Sequence, residues 1–154
     1  MRKIILTSMA AIAVLSSCNK TNNVLNPITN NQFKIGANTF TAINVQGAGG
    51  VLVAAGSNGT NTGSISCYFN GNVLPTANGT YKITGNPDAQ GEVYITAATN
   101  IGGVSKSYGT KDNASNPSAT ITVSGGKVTI EIPDVEAKES NGTAITISGK
   151  LKQN

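Results

Sequence analysis

Apolar and polar residues alternate along most of the chain after residue 31. The clearest case is residues 92–98, where Val93, Ile95 and Ala97 are separated by Tyr94 and Thr96. A period of two places successive side chains on opposite faces, so each such run predicts a β-strand with one buried and one wet face. The runs predict ten strands, near residues 32–35, 39–46, 51–55, 64–69, 80–84, 92–98, 105–109, 118–124, 127–132 and 144–151.

Glycine and asparagine separate these runs. Four Asn-Gly pairs and a Ser-Gly-Gly stretch tolerate the positive φ that tight hairpin turns require; they lie at 58–59, 70–71, 78–79, 141–142 and 124–126. No window after residue 20 repeats apolar residues at the 3.6-residue spacing of an amphipathic helix. The pattern predicts a single all-β domain over residues 32–154. We expect an antiparallel β-sandwich, with a small β-barrel as the alternative.

The first 17 residues have the three parts of an export signal. Arg2 and Lys3 give a positive start, residues 4–15 are almost entirely apolar, and Ser16 and Ser17 are small. An apolar stretch of about 12 residues is short for a permanent membrane-spanning helix. We therefore expect residues 1–17 to be a signal peptide that is removed; the alternative is an N-terminal anchor that is never cut.

The motif Leu15-Ser16-Ser17-Cys18 resembles the lipobox of bacterial lipoproteins. The resemblance implies that the Cys18 thiol receives a diacylglycerol, that cleavage occurs just before Cys18, and that the new amine is acylated as well. Two or more acyl chains are what stable attachment to a membrane requires. Residues 18–31 are polar, rich in asparagine and without a hydrophobic period, which predicts a flexible tether after the lipidated cysteine.

The tether and the C-terminal part resemble small, uncharacterised β-rich lipoproteins of Bacteroidetes-type Gram-negative bacteria. Within residues 119–151, the resemblance is carried by a Gly-Lys-Val-Thr strand at 126–129 and an Ile-Ser-Gly strand at 147–149. It implies a lipid-anchored protein of the cell envelope, which we expect at the outer membrane, and it brings no catalytic residues. Members that are exported to the cell surface often carry acidic residues soon after the cysteine. None follows Cys18 closely here, which favours a periplasm-facing position.

The residue types that the chain lacks argue against several classes of function. There is no histidine or tryptophan, and no arginine after Arg2. Histidine is the commonest general base and metal ligand, and arginine dominates the recognition of phosphates and bases. We therefore expect no enzyme, no metal, no cofactor and no nucleic-acid partner. Cys67 alternates with Ile65 and Phe69, and we expect it to be a small buried core residue rather than a reactive thiol.

The acidic residues cluster late in the chain, around Pro133, where we expect a turn. They are Glu131, Asp134, Glu136 and Glu139. Two facing carboxylates can hydrolyse a glycosidic bond, so a carboxylate-based hydrolase is one alternative function. A charged loop in solvent is the simpler interpretation of the same residues.

Tyr68 and Tyr94 are the candidate binding residues, because alternation places both on the wet faces of their strands. Such tyrosines can stack on sugar rings or contact a partner protein, and they can equally form a cross-strand pair or face a second sheet. The leading hypothesis is a non-enzymatic lipoprotein, anchored to the membrane through acyl chains on Cys18, that binds or supports an envelope protein or glycan. A barrel that carries a small apolar ligand is the main alternative.

Overall fold

The computed structural model describes residues 31–154, which form ten strands and one short 3-10 turn. The strands are β1 (Gln32–Ile35), β2 (Asn38–Ala48), β3 (Val51–Asn58), β4 (Asn61–Phe69), β5 (Gly79–Thr84), β6 (Glu92–Ile101), β7 (Val104–Thr110), β8 (Ser118–Ser124), β9 (Lys127–Lys138) and β10 (Ala144–Lys152); the turn is Asn70–Asn72. The predicted export signal, Cys18 and the tether up to residue 30 lie outside the described residues. Within the described part, no helix has the length and apolar character needed to cross a membrane.

Each of the ten predicted strands is present, and the all-β prediction is confirmed. In β6, Val93, Ile95 and Ala97 are buried and the residues between them are half-buried, as the period of two requires. Several strands extend beyond their predicted ends. In β3, β4 and β6 backbone pairing continues through glycine, serine, threonine or asparagine, which carry little apolar signal, whereas in β9 the alternation resumes with Val135 and Ala137 after the interruption at Pro133.

Tight turns join consecutive strands at three of the five glycine turns that the sequence offers for hairpins. The glycines of the 124–126 stretch both have positive φ, between the paired ends of β8 and β9. The pairs at 58–59 and 141–142 also lie in hairpins. The other two Asn-Gly pairs do not: 70–71 lies in the 3-10 turn, and 78–79 opens β5. They differ because β4 and β5 are not neighbours in the sheet, so the chain between them crosses to another position.

All ten strands belong to one hydrogen-bonded sheet, in the order β10-β1-β2-β3-β4-β6-β5-β8-β9-β7, with β10 also paired to β9 and β6 to β7. Starting at β1, the pairings run through β2, β3, β4, β6, β7, β9 and β10 and return to β1. The sheet therefore encloses a single core. Alternation suits both the sandwich and the small barrel, because it reports which face of each strand is buried and not how the strands are paired.

One pairing departs from the antiparallel prediction, because β5 runs parallel to β6 over three residue pairs. The link between them is only residues 85–91. The Glu92 carboxylate folds this link back by accepting hydrogen bonds from the backbone amides of Asp88 and Ala89, each at 3.0 Å. On its other side β5 pairs antiparallel with β8. The sheet is therefore mixed, a feature that alternation cannot report because it depends on which strand is the neighbour.

The predicted turn at Pro133 is wrong, because β9 continues through it to Lys138. Between Ile132 and Val135 the register with β10 shifts by one residue, which is a β-bulge opposite Ser148. The bulge lets Ile132 and Val135, three positions apart, both face the core. Proline is tolerated there because a bulge does not need its missing amide hydrogen.

Large side chains fill the space inside the sheet. Phe33 and Phe40 are fully buried and stack with ring centroids 5.4 Å apart. Gly63 lies so close beneath the Phe40 ring that an added Cβ would collide with it. Cys67 is fully buried as expected, and burial raises the pKa of its thiol to about 12. The largest fully buried side chains are Phe33, Phe40, Leu52, Ile65, Ile83, Ile95, Ile121, Ile130, Ile132, Ile147, Leu151 and Val45.

Candidate functional site

The structure brings the two candidate binding residues, Tyr68 and Tyr94, directly opposite each other on β4 and β6. Both point outward, because their strand neighbours Cys67 and Val93 are fully buried on the other face. The ring centroids are 5.8 Å apart and the ring planes are tilted by 31°. Tyr68 remains 38% exposed, and Tyr94 is half-buried. The pair forms one aromatic surface that solvent can reach.

Tyr94 lies across the neighbouring strand β7 rather than standing free in solvent. A Cβ atom added to Gly109 would collide with the Tyr94 hydroxyl oxygen. Gly109 therefore gives the tyrosine side chain room to lie against the backbone of β7, and Tyr68 supports its ring from the other side. A ring held between two neighbours loses little conformational freedom when a ligand binds to it.

The tyrosine pair belongs to a wider outward surface of β3, β4, β6 and β7, which we call the neutral face. Its residues carry no formal charge, and they are Val53, Ala55, Ser57, Thr62, Ser64, Ser66, Tyr68, Tyr94, Thr96, Ala98, Asn100, Ser105, Ser107 and Gly109. Most side chains here are small, and hydroxyl groups recur in every strand. The face is therefore shallow, and its hydrogen-bonding groups are all neutral.

Two adjoining depressions lie on the neutral face. The larger has a volume of about 600 Å³ and the smaller about 420 Å³. They share Ser64, Ala98 and Ser107, which occupy one cross-strand row, so they form a continuous surface across β4, β6 and β7. Ile43, an extra residue bulged out of β2 and 77% exposed, borders the larger depression, and Tyr94 borders the smaller.

An ion pair stands beside the larger depression. Lys106 Nζ lies 3.0 Å from Glu139 Oε1, and the Asn141 side-chain amide donates to the other Glu139 oxygen at 2.9 Å. The hydrogen bond from Lys106 is the main cause that lowers the pKa of Glu139, and the same bond raises the pKa of Lys106. Burial is the main cause that raises the pKa of the nearby Tyr108. This cluster fastens the link between β9 and β10 to β7.

The acidic residues singled out by the sequence do not form one group. Glu131 is paired with Lys150 at 3.2 Å and Glu136 with Lys138 at 3.0 Å, while Glu139 reaches Lys106. Asp134 is exposed at the bulge. Each glutamate is therefore drawn toward a different lysine. Among the described residues, no three His, Cys, Asp or Glu side chains come together as a metal site would require.

The sequence interpretation missed most of the neutral face. Its signal was present, because the chain has no charged residue between Lys34 and Lys82 and none between Glu92 and Lys106. These uncharged stretches become adjacent only when β3 and β4 pair with each other and with β6. A charge map over predicted strands would have found the stretches, but it would not have shown that they share one surface.

Comparison with known proteins brings no relative to this chain: no family model, no curated protein and no solved structure matches it.

Proposed function

We propose that this chain is a lipid-anchored, non-enzymatic protein of the cell envelope whose β-domain binds a partner through the neutral face. The lipobox-like motif ending at Cys18 and the polar segment that follows it support the anchor, which we place in the outer membrane. The single observation that carries the binding role is the opposed pair Tyr68 and Tyr94, outward and solvent-accessible on an uncharged surface.

The point where the tether would join the domain supports access to this face. The side-chain oxygen of Asn31 accepts a hydrogen bond from the backbone amide of Lys152 in β10 at 2.8 Å. The next residue, Gln32 of β1, lies opposite Thr41 of β2. The tyrosine pair lies in the row of Ala48, at the far end of β2. Because Ile43 is bulged out, Thr41 and Ala48 are six register steps apart, roughly 20 Å at about 3.3 Å per residue. A partner can therefore approach the tyrosines at a distance from the tethered end.

The anchor is tested by expressing the full chain in a Gram-negative host and measuring the intact mass of the mature protein by mass spectrometry. We expect a membrane-bound product that begins at Cys18 and carries the mass of its acyl chains. The variant Cys18→Ala is expected to lose both the added mass and the membrane association. An unmodified residue 18 with residues 1–17 still attached would contradict the proposed anchor.

The binding role is tested by placing a photocrosslinking amino acid at Ser66, beside the tyrosine pair, in the full-length lipoprotein in intact cells. We expect a discrete adduct that weakens strongly in the double variant Tyr68→Ala/Tyr94→Ala. The matched control is Thr122→Ala/Thr129→Ala, which removes an opposed outward pair on β8 and β9. An adduct that forms equally well in both double variants, or no adduct at all, would contradict binding through the neutral face.

A further inference from the structure

We infer that the ligand of the neutral face is an uncharged oligosaccharide that stacks on Tyr68 and Tyr94. This inference rests on the proposed function and names the chemical class of the partner. Three properties of the face support it: the geometry of the aromatic pair, the neutral hydroxyl groups beside the pair, and the absence of charged side chains among the residues that define the face.

The tyrosine pair presents aromatic surface in the way that a sugar ring requires. With centroids 5.8 Å apart and planes tilted by 31°, the two rings contact each other without the full face-to-face overlap of a close stack. A pyranose ring has a face made of C–H groups, which packs on an aromatic ring, and hydroxyl groups at its rim. Tyrosine matches both parts, because it offers an apolar ring with a polar tip.

The cross-strand row next to the tyrosines supplies neutral hydrogen-bonding groups. Ser66 and Thr96 lie opposite each other there, and they form the next outward-facing pair after Tyr68 and Tyr94. A hydroxyl group can both donate and accept, so it can pair with a sugar hydroxyl in either direction. Ser64 and Ser107 continue the same chemistry in the next row, on either side of Ala98.

The charge distribution favours an uncharged ligand. A charged group placed on the neutral face would lose part of its hydration without gaining an opposite charge. Charged residues lie at the border of the face, where Lys106 is paired with Glu139 and Lys138 with Glu136, and Lys111 borders the smaller depression. Glu92, the outward neighbour of Tyr94 on β6, is occupied by the backbone amides of Asp88 and Ala89. The combined extent of the two depressions, which share one row, suits several linked sugars better than a single ring.

The test is affinity electrophoresis of the full-length lipoprotein in detergent, in native gels that contain a polysaccharide. The uncharged probes are mannan, xylan, starch and a soluble β-glucan, and the anionic probes are polygalacturonate and heparin. We expect at least one uncharged polysaccharide to retard the protein. Tyr68→Ala/Tyr94→Ala should weaken the apparent affinity about tenfold or more, whereas Tyr68→Phe/Tyr94→Phe should retain most of it because the rings remain.

The control variant Thr122→Ala/Thr129→Ala should migrate like the wild-type protein in every gel. Unchanged migration in all four uncharged gels, retardation by the anionic probes alone, or equal retardation of the tyrosine-to-alanine variant would each overturn the inference. The crosslinked adduct at Ser66 separates this result from a failure of the proposed function. An adduct whose added mass periodate reduces, through cleavage of vicinal diols, supports a carbohydrate. An adduct that resists periodate and yields peptides of a second protein after trypsin digestion supports binding but overturns the carbohydrate.

Discussion

The Thr110 hydroxyl donates a hydrogen bond to the backbone carbonyl of Thr84 at 2.6 Å, and the same oxygen accepts the amide of Ile95 at 3.2 Å. Ile95 lies where one edge of β6 stops pairing with β5 and begins to pair with β7. A backbone amide at such a fork has no regular partner in the sheet, and a buried amide without a partner is costly. Thr110, only 1% exposed, therefore closes the fork with its side chain.

Replacing Thr110 with valine keeps the shape of the side chain and removes these two hydrogen bonds. We expect Thr110→Val to lower the free energy of unfolding by about 1–3 kcal/mol, because two buried backbone groups lose their partner. Thr110→Ser keeps the hydroxyl and should cost less, on the order of 1 kcal/mol for the lost methyl group. Urea denaturation of the chain from residue 19 onward, followed by far-ultraviolet circular dichroism, measures both. A valine variant at least as stable as the serine variant would contradict this role.

The contact between Tyr94 and Gly109 is tested by a double-mutant cycle. Gly109→Ala places a methyl group against the Tyr94 hydroxyl oxygen, and we expect it to cost about 1 kcal/mol. In the Tyr94→Phe background the hydroxyl is gone and only the ring carbons remain, the nearest 3.3 Å from the added Cβ, so the same alanine should cost less. Its lower loss of backbone entropy in a strand, compared with glycine, acts in the same direction. Denaturation midpoints of the four proteins give the coupling. An equal effect of Gly109→Ala in both backgrounds would show that the tyrosine does not lie across β7.

The ion pair between Lys106 and Glu139 predicts a pH dependence of stability. The pKa of Glu139 is lowered in the folded protein, so its contribution is present above the pKa of an ordinary glutamate and is lost as the pH falls through the folded value. The pKa of Lys106 is raised, so its contribution is present below the pKa of an ordinary lysine and is lost as the pH rises through the folded value. The pair should therefore stabilise the fold across neutral pH.

Variants of this pair show whether the pH dependence comes from it. Glu139→Gln should reduce the loss of stability between neutral and acidic pH, measured as the shift in urea midpoint, and Lys106→Met should reduce it similarly. Combining the two should add little, because either change alone breaks the same pair. If the acid-side slope is identical in the wild-type protein and in Glu139→Gln, the pair does not contribute in this way.

Cys67 should be inert toward thiol reagents in the folded protein. The side chain is fully buried and burial raises the pKa of its thiol to about 12, so both access and thiolate formation are suppressed. In a variant with Cys18→Ser, which leaves Cys67 as the single thiol of the chain, iodoacetamide labelling should follow the unfolding curve in urea. Rapid labelling without urea would show that the interior opens near β4.

The positions of the strands could be predicted because alternation is a local property. The alternation of Val93, Ile95 and Ala97 identifies β6 without knowledge of its neighbours. Gly125 and Gly126 indicate a hairpin because glycine readily adopts the positive φ that both residues have in the structure. Pro133 misled the same reasoning, because a proline that usually ends a strand can also occupy a bulge. Whether a proline ends the strand or occupies a bulge is decided here by the register between β9 and β10, which depends on residues 147–149 and not on the neighbours of Pro133.

The candidate site likewise combines features that the sequence predicts with features that depend on other strands. Alternation placed Tyr68 and Tyr94 on outward faces, but their direct opposition follows from the register between β4 and β6. The room for Tyr94 depends on Gly109 in a third strand, and the pairing of Glu139 with Lys106 joins residues far apart in sequence. Neither contact has a signal in the residues next to it.

By itself the sequence determined which segments are strands, where three of the tight hairpins lie and that Cys67 faces inward, because each of these depends on residues a few positions apart. Only the tertiary structure decided that β5 runs parallel to β6, that the sheet returns to β1, and that the uncharged strands meet as one surface around the tyrosine pair. These features arise from pairing among all ten strands at once. Many neighbours and registers satisfy the same alternation, and the packing of one shared core selects among them.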